Sequence, residues 1–288
     1  MPIYATFLKN KLPIQLGIIF VFLSFFSGIH HDYIEYIGQW QHFISGANPW
    51  LNADGTFNGN AYGPTHLLYA GFYMLHPLAP KVIGAISYIG TVMWLLHRFS
   101  KLFFTNPDLK KASLFYLFSP FFLLSVFYNG DLDMHVCFFV MLSLIFLERD
   151  YEITSGFFLA LAIGLKFFPI AYLPLLAYKK GFSFRFKLIA STTLVCLLMF
   201  GLCYAKWDIG VFAPFLFAGN REPKLLSIFR YLEGTFNPFV WMGYHLNLQV
   251  LSLPLMAISA LWVLWLTWRQ KLDTALSCLL MTLSRFAH

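Results

Sequence analysis

The chain has 288 residues, of which 59% are hydrophobic, 20% aromatic and only 11% charged, whereas soluble domains carry roughly 25% charged residues. Its 34 Phe and 8 Trp exceed what one aqueous domain can bury, which excludes a soluble enzyme, a disordered chain and a disulfide scaffold. The net charge of +7 comes from short Lys and Arg clusters between apolar runs, which is typical of membrane topology signals and not of nucleic-acid binding. The composition predicts an all-α integral membrane protein.

Several apolar runs are candidate membrane spans, because an upright helix needs about 20 apolar residues to cross. In chain order they are 12–29, 82–97, 112–130, 134–147, 153–178, 188–205, 246–268 and 273–288. The first is expected to stay as an anchor helix, and the last is barely long enough to cross. The positive-inside rule places the basic clusters between the runs on the cytoplasmic side, namely Lys9 and Lys11, Arg98 to Lys111, Arg149, Lys179 to Lys187, and Arg269 and Lys271. Residues 1–288 are treated as one polytopic domain.

This orientation predicts two segments that do not simply cross the membrane once. The segment Thr65 to Leu78 lies between the first span, which leads outward, and the span 82–97, which returns to the cytoplasm. Both ends of the segment must therefore be outside, and we expect it to enter the membrane only partway. The run 153–178 begins and ends on the cytoplasmic side and must cross an even number of times. A break near Lys166 to Pro169 satisfies this, because proline interrupts a helix and a lysine is costly in lipid. About nine crossings result, with interfacial helices in the first of two outer loops, 30–81 and 206–245.

The acidic residues gather in the outer loops, so we expect any chemistry on the extracytoplasmic side. Asp32 opens an amphipathic interfacial helix just after the first span. A capping box with Glu35 three residues later would explain it structurally, and a general base for a membrane-bound substrate would explain it functionally. The adjacent His30 and His31 lack metal-ligand spacing, and the cysteines form no CxxC pair, so neither a metal site nor a disulfide is predicted.

Cations in the outer segments are candidates for binding an anionic headgroup. Lys166 either extends its ammonium to the membrane interface or binds a lipid phosphate. In the second outer loop, helical spacing would place Lys224 and Arg230 opposite an apolar face of Leu225, Ile228, Phe229 and Leu232. This predicts a basic interfacial helix that is attracted to anionic lipids or holds a phosphate headgroup.

Short motifs follow one another along the outer segments. They are Asp32, Gly46-Ala47-Asn48-Pro49-Trp50, Tyr62-Gly63-Pro64, Asn129-Gly130-Asp131-Leu132-Asp133 and Gly164-Leu165-Lys166-Phe167-Phe168-Pro169. In order and spacing they resemble integral membrane glycosyltransferases of the GT-C fold, particularly polyprenyl-phosphate-mannose-dependent mannosyltransferases. The chain departs from that group in its shorter length and in Tyr62-Gly63-Pro64, where Tyr-Pro-Pro is commoner.

The resemblance implies transfer of a sugar, most readily mannose, from a polyprenyl phosphate to an extracytoplasmic lipid or glycan acceptor with inversion. The enzyme would be a multi-pass protein of a bacterial inner membrane or its equivalent, would contact membrane lipids, and would need no cofactor. Asp32 is the implied catalytic base. The implied substrate-binding residues are Glu35, Tyr62, Asp131, Asp133, Lys166, Arg221, Lys224 and Arg230. The alternatives are a transporter or lipid flippase, which should show inverted repeats or charged pairs at mid-membrane, and an envelope polysaccharide polymerase.

Overall fold

A computed structural model of the chain describes residues 11–30, 32–52, 54–58, 62–98, 124–179, 183–215, 258 and 261–269. The side chains of a few residues within these ranges, Asp32 among them, lie outside the description. In the described part the chain is mainly helical, and its only strands are two residues long. This agrees with the predicted all-α class.

The helices follow the apolar runs closely. They are α1 (Lys11–Phe26), α2 (Asp32–Ser45), α3 (Tyr69–Leu75), α4 (Ala79–Arg98), α5 (Asp133–Leu147), α6 (Glu152–Leu165), α7 (Leu173–Ala177) and α8 (Phe186–Trp207). Short 3₁₀ helices cover Pro64–Leu68, Phe168–Tyr172 and Asp208–Phe212, and Leu124–Asn129 forms a π-helical turn. Strands β1 (Tyr178–Lys179) and β2 (Ser183–Phe184) pair antiparallel between α7 and α8, with Tyr178 opposite Phe184. Residues 261–268 are helical.

Helix α6 packs between α5 and α8 and fixes the direction of both. The hydroxyls of Ser143 in α5 and Ser155 in α6 are 2.9 Å apart, and the opposite ends of these two helices meet at Asp133 and Lys166. The two helices are therefore antiparallel. At the start of α8, the Ser191 hydroxyl donates to the carbonyl of Ile153 at 2.8 Å, so α8 begins beside the start of α6 and the two run parallel.

The predicted break in the run 153–178 is confirmed. Helix α6 ends at Leu165, Lys166 is extended with φ −138° and ψ 135°, and Pro169 lies in the 3₁₀ helix that follows. Because α8 starts where α6 started, residues 166–185 must return along the length of α6. Two short helical segments that run in opposite directions therefore replace one long crossing.

Charged residues gather at the two ends of this bundle. At one end Arg98 of α4 forms a 2.9 Å ion pair with Glu148 after α5, and Arg149 and Lys187 flank the neighbouring helix starts. At the opposite end the acidic residues Asp131, Asp133 and Asp208 adjoin the starts or ends of α5 and α8. The first end also carries Glu148, Asp150 and Glu152, and the second also carries Lys166 and Lys206. Which end faces the cytoplasm therefore stays a prediction from the positive-inside rule.

Two helices in the described part are long and apolar enough to cross a membrane, namely Ala79–Arg98 and Phe186–Phe215. Helices α5 and α6 are shorter, and so is the segment Phe168–Ala177. Large apolar side chains on α8 face outward, with Leu197 67% and Leu202 70% exposed, as lipid-facing residues do. The number of crossings stays a prediction, because most of 112–130 and 246–288 falls outside the described residues.

The first outer loop contains two short helical units. Helix α2 buries Tyr33, Tyr36 and Trp40, while Ile34 is 57% and Ile44 44% exposed. The packed face of α2 is thus aromatic, and Ile34 and Ile44 lie on its exposed face. The Thr65 to Leu78 segment contains a 3₁₀ turn and the seven-residue α3, which at 1.5 Å per residue is far too short to cross a bilayer.

Candidate functional site

Three of the predicted substrate-binding residues meet at the end of the bundle where α5 begins and α6 ends. The Tyr62 hydroxyl donates to Asp133 Oδ1 at 2.9 Å, and the Lys166 ammonium forms an ion pair with the same oxygen. The ammonium also lies 4.8 Å from the centre of the Tyr62 ring, within cation–π distance. The side chain of Lys166 is 17% exposed and that of Asp133 41%, so the pair is open to a ligand on the carboxylate side.

Backbone contacts bring these residues together from distant parts of the chain. The N–H of Gly63 donates to the carbonyl of Leu165 at 3.0 Å, which places the residues just before and just after these two, Tyr62 and Lys166, side by side. A Cβ atom on Gly63 would lie 2.7 Å from the carbonyl oxygen of Gly164. A proline at 63, as in the commoner Tyr-Pro-Pro, would lack the donor and would fill this space. Gly63 is therefore required by this close approach.

Tyr62 is held from both ends. The indole N–H of Trp50 donates to its carbonyl at 2.9 Å, and the Tyr36 hydroxyl donates to its hydroxyl at 3.3 Å. Burial raises the pKa of Tyr62 well above its ordinary value, and the negative charge of Asp133 adds to that effect. Tyr62 therefore remains a neutral hydrogen-bond donor and cannot itself serve as a base near neutral pH.

A buried histidine supports the Tyr62 ring. The His66 ring stacks on Tyr62 with centroids 5.0 Å apart, and it lies 5.1 Å from the Trp40 ring at a tilt of 30°. Neither ring nitrogen of His66 has a hydrogen-bond partner in the described part of the chain. The side chain therefore acts as a flat neutral support, since a charged imidazole without partners would be costly there.

The two outer acidic segments also adjoin. Gly130 has φ +75°, and a Cβ atom there would lie 2.8 Å from Cδ2 of Tyr33. This puts the backbone before Asp131 against the first turn of α2, which begins at Asp32. The negative charge of Asp131 also contributes to the raised pKa of Tyr62, so Asp131 faces the same cluster. Where the Asp32 carboxylate points lies outside the description.

The structure describes one of the other four predicted substrate-binding residues. Glu35 is exposed on α2, one turn after Asp32. Arg221, Lys224 and Arg230, with their predicted interfacial helix, lie outside the described residues. Among the residues that the structure describes, no group of three or more His, Cys, Asp or Glu side chains could hold a metal ion.

The Gly46 to Trp50 motif joins the first outer loop to the second. The Asn48 amide donates to the carbonyl of Trp207, the last residue of α8, at 3.1 Å, and its oxygen accepts from the Trp50 N–H at 3.0 Å. Trp50 then binds Tyr62, as described above. The Gly46 to Trp50 turn thus connects the end of α8 to the cluster.

A comparison with protein families decides the class of the chain. The model of glycosyltransferase family 87 matches residues 61–287, more than half of the sequence. The chain belongs to glycosyltransferase family 87. It is thus a membrane glycosyltransferase, which favours the enzyme over the transporter or flippase alternative. No curated protein and no solved structure matches the chain significantly.

The matched range covers most of the predicted motifs but not all of them. It includes Tyr62-Gly63-Pro64 and the segments 129–133 and 164–169, from which the cluster is built. It begins after Asp32 and after the Gly46 to Trp50 motif. The family match therefore bears on the cluster of Tyr62, Asp133 and Lys166, and the role of Asp32 rests on other arguments.

Lys81, a cation at this end of the bundle, is not among the site residues predicted from the sequence. Lys81 lies in the first turn of α4 and is 1% exposed. The position of Lys81 in the sequence could have indicated its role, because a cation in the first turn of a helix lies at the positive end of the helix dipole. A lysine placed there calls for partners outside its own helix.

Proposed function

We propose that this family 87 enzyme transfers mannose from a polyprenyl-phosphate donor to a lipid or glycan acceptor. The reaction would occur on the extracytoplasmic side of the membrane, with inversion at the anomeric carbon. Family membership supports the glycosyl transfer. Mannose and the polyprenyl-phosphate donor are what the resemblance described above implies, the side of the membrane is our inference from the charge pattern, and the site adds support for an anionic donor.

The single observation that carries the proposal is the position of Lys166. Its ammonium lies at the end of a short apolar helix, paired with Asp133 and next to Tyr62. A lipid whose chain lies in the bilayer would present its phosphate at this level, and a phosphate oxygen is a strong acceptor for an ammonium group. A donor in water would not need its binding cation at the end of a membrane helix.

The chemistry requires a base and a means to neutralise the leaving group. In the proposed step Asp32 takes the proton of an acceptor hydroxyl, whose oxygen attacks the anomeric carbon from the face opposite the phosphate. The bond between that carbon and the phosphate oxygen breaks, and its electron pair leaves with the polyprenyl phosphate. Lys166 balances the charge that develops on the phosphate. The proton on Asp32 is then released to water.

The remaining residues take supporting roles in this proposal. Asp133 and Tyr62 hold Lys166 at the phosphate. Asp131, beside the start of α2, orients the acceptor, and Glu35 assists one turn further along. In the second outer loop the proposed phosphate contacts are Arg221, Lys224 and Arg230.

The test is a transfer assay with purified protein, polyprenyl-phosphate-linked radiolabelled mannose and a membrane extract as acceptor. The Asp32→Asn variant keeps the side-chain size and the capping ability and should lose about a hundredfold or more in turnover, the usual effect of removing a general base. Asp54→Asn is the matched control. Asp54 is an exposed acid in the same loop that accepts a hydrogen bond from Thr56 and has no part in the proposed chemistry, so turnover should not change.

Two results would contradict the proposal. Normal turnover of Asp32→Asn would leave Asp32 as a helix cap. Transfer from a nucleoside-diphosphate sugar, with none from the lipid-linked sugar, would exclude the lipid donor.

A further inference from the structure

The buried Lys81 has no role in the chemistry proposed above. Burial of an ammonium is costly unless its donors are satisfied, and its own helix offers it only unfavourable N-terminal dipoles. The reason for a lysine at this position must therefore lie in what it contacts.

Three neutral oxygens from two other segments surround the Lys81 ammonium. It donates to the Ser27 hydroxyl at 2.5 Å, the Gly28 carbonyl at 3.0 Å and the Tyr128 carbonyl at 2.6 Å. These acceptors follow the end of α1 or belong to the end of the π-helical turn 124–129, where unpaired carbonyls carry partial negative charge. An ammonium group has three donors, and here each has an acceptor.

The two segments that Lys81 joins lead directly to the outer acids. Asp32 follows Gly28 by four residues, and Asp131 follows Tyr128 by three. The Ser27 hydroxyl also donates to the Phe127 carbonyl at 2.7 Å. In addition, a Cβ atom on Gly130 would lie 3.3 Å from Cγ and Cδ of Lys81, so the turn before Asp131 rests on the lysine stem.

We propose that Lys81 is a positioning residue, whose ammonium holds the segments before Asp32 and before Asp131 in one arrangement. In the proposed function the acids that follow these two segments serve one substrate. This inference rests on the proposed function, because it assigns the acids to one active site. Three hydrogen bonds from the Lys81 ammonium join the end of α1 to the end of the π-helical turn. No backbone hydrogen bond in the described part of the chain joins these two segments.

Hydrogen exchange of the purified full chain tests the connection without any substrate. In Lys81→Met, which keeps an unbranched side chain one atom shorter and removes the donors, we expect faster exchange in segments 24–34 and 126–134. Segments 152–165 and 186–207 should exchange as in the wild type. A general loss of structure would accelerate all four segments, and a lysine without this role would change none.

Turnover measurements test the consequence for catalysis. Lys81→Met should lower kcat by about tenfold to a hundredfold, since misplacement of catalytic groups by about 1 Å has effects of that size, with the donor KM within about threefold of the wild type. Lys81→Arg retains donors and should recover part of kcat. If Lys81→Met does not fold, Ser27→Ala removes one acceptor and the link to Phe127, and it should show the same pattern more weakly.

The outcomes separate this inference from the proposed function. Unchanged exchange in 24–34 and 126–134, or faster exchange with an unchanged kcat, overturns the positioning role of Lys81. If the wild-type protein transfers no sugar from the lipid donor, the proposed function fails. In that case the exchange result still decides whether Lys81 joins the two segments.

Discussion

At the scale of single residues, the site depends on a cation whose charge is only partly neutralised. Asp133 Oδ1 accepts from both Tyr62 and Lys166, so it divides its charge between two donors. A carboxylate that is 41% exposed is also weakened by water as an ion-pair partner. Lys166 can therefore be held in place by Asp133 and still attract a phosphate.

Lys166→Met should raise the donor KM by about tenfold to a hundredfold, because a hydrogen bond to a charged group contributes about 1.5–3 kcal/mol. Measurement of initial rates against donor concentration checks this. Lys206→Met is the matched control, since Lys206 at the end of α8 is exposed and packs over the Trp207 ring at 4.4 Å. An unchanged KM in Lys166→Met would leave Lys166 as a residue that only extends to the membrane interface.

At the scale of elements, the site forms where the turn at Gly63 meets the end of α6. The break after Leu165 could be predicted, because Pro169 forbids a continuous helix whatever surrounds it. The contact between Gly63 and Gly164 could not be predicted, because it joins residues about a hundred positions apart. It also depends on the absence of a Cβ atom at position 63. The aromatic packed face of α2 could not be predicted from hydropathy either, because hydropathy ranks isoleucine above tyrosine and tryptophan, whereas Tyr33, Tyr36 and Trp40 are the buried residues.

Gly63→Ala tests this contact. The new methyl group would lie 2.7 Å from a backbone oxygen of α6, and backbone cannot move aside as a flexible side chain can. We expect a loss of stability of about 1–3 kcal/mol, typical of overpacking, with a lower transition temperature and reduced turnover.

Gly71→Ala in α3 is the matched control for this change. Nothing lies within 4 Å of a Cβ atom at that position, so the higher helix propensity of alanine should stabilise the protein by up to about 1 kcal/mol. Thermal unfolding in detergent measures both variants. Equal transition temperatures for the two would mean that the close approach at Gly63 carries no energetic weight.

At the scale of the whole molecule, the direction of the bundle decides which substrates reach the site. The Tyr62 cluster lies at one end of the bundle, and the Arg98–Glu148 pair lies at the other. These ends are set by α4, α5, α6 and α8 together. Hydropathy and charge predict from the sequence which end faces the cytoplasm, because this depends on the composition of long segments and not on single contacts. The orientation itself stays a prediction.

Cysteine labelling in a variant that lacks the native cysteines tests the orientation. We expect Phe57→Cys, at a position 44% exposed in the first outer loop, to react with a membrane-impermeant maleimide in intact spheroplasts. Tyr151→Cys, at a position 59% exposed between Arg149 and α6, should react only in inverted vesicles, because the positive-inside rule keeps that end in the cytoplasm. The reverse pattern would place Lys166 and Asp133 on the cytoplasmic side. Water-soluble nucleotide sugars would then have direct access to the site, and an extracytoplasmic lipid-linked donor could not be the substrate.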